Sequence, residues 1–395
     1  MAGETSANGR GLSVYIHVPF CAVRCGYCDF NTYTAKELGG GGSQAEYPDN
    51  AMREMERTLA DDQASGFTYD RVDTVFFGGG TPTLLPAEEQ ARMLAHLDSL
   101  IPLAPGAEVT TEANPDSVTR DSLFRLADAG FTRVSFGMQS AVPRVLAILD
   151  RTHNPESVPR AVAWAREAGL QVSLDMIYGT PGETLTDVET TIGAITEMQP
   201  DHVSAYSLIV EGNTKMARQL RRGELSEPDP DFMADAYELI AYRTRAAGFE
   251  WYEVSNFAHG EEFQCRHNLA YWRGRDWWGI GPGAHRHRDG YRSWNLKHPS
   301  RYAAALAAGR LPVDGFENVS LEDRALERLM LEMRIREGFE AASNPLTSSN
   351  EARAVLSGHV AAGRLDATAW DSGIVRLSDA GRLVADAITR DIAAL

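Results

Sequence analysis

Three cysteines, Cys21, Cys25 and Cys28, fall in the run HVPFCAVRCGYCDF with the spacing C-x3-C-x2-C. One short loop therefore carries three thiols and no fourth beside them. A closed zinc site takes four ligands. A four-iron cluster held by three thiolates keeps one iron open to a small molecule. The spacing by itself also admits a zinc site completed by a distant His or Cys, or three small buried thiols in a core.

Bulk composition removes other classes. The chain has 395 residues, 43% apolar and 24% charged, which is ordinary for a globular protein with a large core. Net charge is −17 with no basic stripe, so a nucleic-acid backbone is not an expected partner. No apolar run reaches the length of a membrane span, about 18 residues, so no transmembrane segment is expected. The opening MAGETSANGRG lacks the charged-then-apolar build of a secretory leader. Four cysteines in a chain of this size are no disulfide framework, and a cytoplasmic, reducing setting fits a thiolate cluster.

Strand and helix patterns alternate through the first half. Residues 12–18 (LSVYIHV) read as a strand running into the cysteine loop, and residues 37–50, with GGGGSQ, as a flexible insertion. A helix over 51–60, strands at 72–77 and 108–112, and a helix over 121–129 closed by Gly130 follow. Then come strand 132–140, helix 158–169, strand 170–183, a helix to Met198 and strand 201–209. Such alternation predicts an α/β fold with a parallel sheet and right-handed crossovers. Polar and glycine-rich residues fall at the strand ends, where barrels build their sites, so residues 1–210 read as a partial (β/α)6 barrel. Residues 211–310 form an aromatic and histidine-rich mixed linker region. Residues 311–395 read as a small helical, winged-helix-like C-terminal domain.

Together these motifs resemble the coproporphyrinogen III dehydrogenase-like branch of the radical S-adenosylmethionine (radical SAM) superfamily, from Tyr15 to about His285. The resemblance implies a [4Fe-4S] cluster on Cys21, Cys25 and Cys28, with S-adenosyl-L-methionine (SAM) chelating the open iron. It assigns Tyr15, in YIHVPFC, to the SAM beside the cluster, and Gly79, Gly80 and Thr81, in FGGGTPT, to the loop meeting the SAM amino group. Glycine there would let backbone carbonyls approach a ligand. Glu112, in TEANP, matches the acid near the SAM ribose hydroxyls, and Gln139, Arg151 and Asp175 match further SAM contacts. The resemblance leaves open whether one SAM or two are bound. Phe20 and Phe30 are expected to give the cluster apolar cover.

Two departures turn the reading within that branch. The dehydrogenases carry a further cysteine where this chain has Phe30, and a longer segment before the first cysteine. Both argue against porphyrinogen decarboxylation and toward the sister branch of haem chaperones. CRHNLAYW matches that branch's H-N-x-x-Y-W run at His267, Asn268, Tyr271 and Trp272. Imidazole and thiolate are haem ligands, and flat aromatic rings stack on a macrocycle. His267, Cys265, Tyr271 and Trp272 are therefore haem candidates, with His285 and His287 behind them. The branch implies haem as ligand and haem-acceptor proteins as partners, including respiratory components at the membrane surface. The alternatives are the oxygen-independent dehydrogenase itself, or another radical SAM enzyme such as a methyltransferase.

Overall fold

The computed structural model describes residues 10–34 and 38–395. The leader reading at the very N-terminus and the first residue of the glycine-rich insertion lie outside them.

Six parallel strands form the centre: β1 (Gly11–Val18), β2 (Arg71–Gly79), β3 (Leu103–Ala113), β4 (Arg133–Gln139), β5 (Gln171–Tyr178) and β6 (His202–Ser207). They pair in sequence order. Each is rich in β-branched and aromatic residues, which suit a pleated buried surface. Helices cross between them: α1 (Tyr47–Ala64), α2 (Ala87–Leu100), α3 (Arg120–Asp128), α4 (Pro143–Ile148), α5 (Ser157–Glu167) and α6 (Leu185–Glu197). Local chemistry sets several ends. Thr119 and Ser122 close a capping box on α3, and Thr184 and Asp187 do so on α6. Gly130 takes φ +98 just past α3, a conformation that costs a side chain dearly.

Strand alternation splits the residues into two sets. Val14, Ile16 and Val18, Val75 and Phe77, Val134 and Phe136, and Val172, Leu174 and Met176 are all buried in one core with the helices. Full burial of such a side chain contributes roughly 1.5–3 kcal/mol. The intervening residues face the barrel interior, and most are polar.

The sheet continues past this centre. Helices α7 (Lys215–Arg221) and α8 (Pro230–Ala246) lead to β7 (Glu250–Glu253) and β8 (Asn256–Ala258), and β8 pairs antiparallel with β6. Helix α9 (Arg266–Trp272) leads to β9 (Trp277–Ile280), which pairs parallel with β1. β10 (His285–Arg288), β11 (Tyr291–Asn295), α10 (Pro299–Ala307) and β12 (Val313–Asn318) follow, giving a 12-stranded sheet. Residues 211–310 thus supply strands to both edges of the barrel sheet. Those strands are three to five residues long, too short for their periodicity to declare them.

The C-terminal residues build a second, smaller core around Leu329, Met333, Leu356, Val375 and Ile388. It joins α11 (Leu321–Glu332), α12 (Asn350–Ala361), α13 (Ala367–Asp371), α14 (Asp379–Arg382) and α15 (Ala385–Ala393) to a two-stranded antiparallel sheet of β13 (Phe339–Glu340) and β14 (Ile374–Val375). The two strands are joined through α12 and α13 rather than by a turn.

One local expectation fails. The helix after the glycine-rich run starts at Tyr47, and its first turn lies inside the segment read as a flexible insertion. Pro48 suits a first helical turn. Tyr47 is buried, its hydroxyl donates to the His17 carbonyl (2.7 Å), and Asn50 donates to the Gly41 carbonyl (2.9 Å).

Candidate functional site

β1 ends at Val18, and the chain enters a loop that folds back on itself. The Cys21 amide donates to the Tyr33 carbonyl (2.9 Å), and the Tyr33 amide to the Pro19 carbonyl (2.7 Å). The Gly26 amide reaches the Leu149 carbonyl (3.1 Å). The loop is thus anchored at both ends with its cysteines on the inner side. All three thiols are free, partly exposed, and part of the wall of one cavity of about 670 Å³. Burial and the neighbouring Cys28 push the Cys21 thiol up to about 11, and burial raises Cys28 as well. Without a metal, the Cys21 thiol would stay protonated at neutral pH. Among the described residues no three His, Cys, Asp or Glu side chains converge on a single ion.

The cavity runs along the barrel interior. Tyr15, Gly79, Gly80, Thr81, Glu112, Gln139, Arg151 and Asp175 all line it with the three cysteines. Alternation supplies the rest of the wall. Glu112 is in register with Ser135, Ser135 with Ser173, and Ser173 with His202. Gly137, Asp175 and Ser204 form the next rung. The Ser135 hydroxyl donates to both Asp175 oxygens (3.0 and 3.1 Å). Burial raises Asp175 to about 6 against the opposing effect of Ser204, Ser135 and Arg151. Burial, then the Asp175 charge, raises Glu112 to about 8, although Glu112 accepts the Gly79 amide (3.0 Å).

Two of the expected SAM residues are left with unmet polar demand. Gln139 sits at φ +63, outside the region that non-glycine residues favour, and its side-chain carbonyl is buried without a partner. Arg151 reaches the Cys25 sulfur with Nη1 (3.6 Å) and the Gly137 carbonyl with Nη2 (2.5 Å), while its Nε is buried and unpartnered. Strained backbone and orphaned polar atoms mark sites completed by a ligand. Three thiols, an acid for hydroxyls and these atoms fit a three-thiolate iron–sulfur cluster with SAM. When bound, the pair supplies an open iron and a redox-active sulfonium.

The glycines also meet a packing demand from the protein itself. A Cβ on Gly79, at φ +107, would meet the His17 ring at 2.5 Å, and one on Gly80 would meet the Phe20 carbonyl at 2.4 Å. These residues are glycine because β1 and the cysteine loop pack against them. The Thr81 amide then donates to the Phe20 carbonyl (2.7 Å). His17 sits between the Tyr15 hydroxyl (3.0 Å) and the Asn31 carbonyl (2.9 Å), tying strand to loop. The two phenylalanines part company. Phe20 turns into the core, edge-on to Tyr47, so it gives the cluster no cover. Phe30 is 57% exposed on the cavity wall.

The H-N-x-x-Y-W run lies deeper on the wall of the same cavity, with the His267 ring centroid 6.5 Å from that of Tyr15. It forms α9, whose N-terminus is capped by Glu108 of β3: the Arg266 and His267 amides each donate to that carboxylate at 3.0 Å, and the Cys265 thiol at 3.5 Å. His267 is 1% exposed with both ring nitrogens engaged, by Thr74 Oγ1 (2.8 Å) and the Tyr271 hydroxyl (3.0 Å). Burial lowers it to about 3 and raises the Cys265 thiol. Cys265, His267, Asn268 and Tyr271 all line the cavity, whereas Trp272 packs with Tyr252, Leu269 and Ile335 at the tail junction. His287 is also engaged at both nitrogens, by the Arg275 carbonyl and the Gly290 amide, while His285 is exposed on β10. Arg286 between them is buried against Asp61 and Asp62 of α1.

Residues 15–195 match the model of the radical SAM superfamily. Over 394 residues the chain is 46% identical to a Mycobacterium tuberculosis protein named heme chaperone HemW, covering 99% of this chain and 97% of the relative. Proteins of that name from Escherichia coli and Bacillus subtilis are 34% and 33% identical, each covering 82% of the chain and 83% of the relative. The solved structure of coproporphyrinogen III oxidase (HemN) from Escherichia coli, a radical SAM enzyme, superposes with a TM-score of 0.80 at 20% identity, covering 97% of this chain and 90% of that one. That last likeness is one of fold. With three thiols and a polar barrel interior at the strand ends, and near-complete coverage by these relatives, the chain belongs to the HemW family of the radical SAM superfamily.

Proposed function

We propose that this protein is a haem chaperone: it binds haem, carries a [4Fe-4S] cluster with SAM, and passes haem to acceptor proteins. Identity of 46% over nearly the whole length of a relative named heme chaperone HemW carries the reading. Cys21, Cys25 and Cys28 would hold the cluster. Tyr15, Gly79, Gly80, Thr81, Glu112, Gln139, Arg151 and Asp175 would surround SAM, since all share one cavity wall with the thiols. Thr81 and the two glycines would act through their backbone. Phe30 stands where the porphyrinogen dehydrogenases have a further cysteine, which favours haem handling over decarboxylation. Acceptors at the membrane surface fit a chain in which no described helix is long and apolar enough to cross a membrane.

The test is functional separation. Iron-loaded protein given SAM, a reductant and coproporphyrinogen III is expected to release no protoporphyrinogen IX above the protein-free control. The same preparation, loaded with haem, is expected to transfer it to a haem-free acceptor. Sustained multiple turnover of coproporphyrinogen III would make the protein a dehydrogenase.

A further inference from the structure

The mouth of the cavity is apolar on two sides. Val23 and Phe30 of the cysteine loop are 49% and 57% exposed, and Tyr206 and Ile209, at and just beyond the end of β6, are 43% and 69% exposed. All four line the same cavity. Large apolar side chains left in water around one opening mark a surface that is covered by something.

Beside this rim runs α7. The Met216 amide donates to the Gly26 carbonyl in the cysteine loop (2.9 Å), and Lys215 reaches both oxygens of Asp150 on the cavity wall (2.8 Å each). Met216 and Ala217 turn inward, leaving Lys215, Arg218 and Arg221 exposed at intervals of three, a spacing that puts side chains on one helix face. Lys215 is neutralised by Asp150. Arg218 and Arg221 hydrogen-bond only the carbonyls of Asn213 (3.2 Å) and Gly212 (3.1 Å), and among the described residues neither pairs with a carboxylate. Glu211 lies in the same loop without an ion pair to either. Gly212 and Asn213 are three and four residues from Ile209, so the carbonyls holding the two guanidiniums lie within about 14 Å of chain from the apolar rim.

We infer that haem docks across this mouth, its macrocycle on Val23, Phe30 and Ile209 and its propionates toward Arg218 and Arg221. The placement rests on the haem-binding reading above. It names the mouth of the cavity rather than the H-N-x-x-Y-W run on its wall, whose histidine is hydrogen-bonded at both nitrogens. A planar apolar ring with two carboxylates on one edge matches an apolar rim with unneutralised guanidiniums on one side.

The test uses iron-loaded full-length protein, titrated anaerobically with haem and, separately, with haem dimethyl ester. Ile209→Asp and the double variant Arg218→Glu/Arg221→Glu are each expected to weaken haem binding about ten-fold or more, with iron and sulfide per chain unchanged. The parent is expected to prefer haem over its ester by a similar factor, and the double variant to lose that preference. A parent that binds haem saturably while both variants bind within about two-fold of it overturns the placement alone. A parent that binds no haem overturns the haem reading with it.

Discussion

At the centre of the barrel, Glu112 is held at about 8 by burial and by the Asp175 carboxylate. An unfolded glutamate titrates near 4.3. Below that pH both states are protonated and the raised value has no cost. As pH rises, the unfolded chain ionises while the folded one resists, so stability falls until pH passes about 8. Glu112→Gln is therefore expected to stabilise the metal-free protein by roughly 1–3 kcal/mol at pH 8 and by nothing at pH 4. Thermal melts at the two pH values decide it, and a gain independent of pH would refute the cause. Alanine at Cys21, Cys25 or Cys28 is expected to abolish bound iron, and alanine at Cys265 to leave it, since that thiol lies under Glu108, deeper on the cavity wall. An iron count settles both; a Cys265 variant that loses the cluster would reverse the assignment. His267→Ala breaks two buried hydrogen bonds and is expected to cost about 2–4 kcal/mol. The haem spectrum should not change, and a shifted Soret band would return His267 to the iron.

At the scale of elements, α1 carries the clearest strut. The Glu54 carboxylate accepts from the Gly281 amide (2.7 Å), Asn295 (2.5 Å) and the Tyr302 hydroxyl (2.6 Å), joining α1 to the β9–β10 turn, β11 and α10. Replacement by Ala leaves three buried partners unmet, and a loss of about 3 kcal/mol or more in denaturant melts is expected. A variant as stable as the parent would mean that these edge strands hold without it. Glu54 was not legible in the sequence, because its partners lie 227 to 248 residues away. The parallel strands were legible, because each holds buried apolar residues at alternate positions over a strand's length. So were the cysteines, whose spacing is local. The polar interior was legible in principle: counting by twos from Glu112 and Asp175 reaches Thr110, Ser173 and Ile177, all on the cavity wall. Long-range packing contacts were not legible. Gly79 and Gly80 meet His17 and Phe20 as well as lining the cavity, and His267 is hydrogen-bonded at both nitrogens by Thr74 of β2 and Tyr271 of α9.

For the molecule as a whole, the cluster loop is an appendage of a finished sheet. β1 to β6 with α1, α2, α3, α5 and α6 share one continuous apolar core that contains none of the three loop cysteines, while α4 packs in a separate cluster with Tyr27 of the loop. Removing iron is therefore expected to leave far-ultraviolet circular dichroism unchanged while residues 21–34 become cleavable by a protease, which peptide mapping would locate. Loss of the helical signal with the iron would mean that the barrel depends on its cluster. The central claim concerns haem, and an anaerobic absorbance titration of the iron-loaded protein tests it most directly. The account predicts saturation at about one haem per chain, with the iron–sulfur absorption preserved beneath the Soret band. A titration that stays linear, matching haem in buffer, would contradict it.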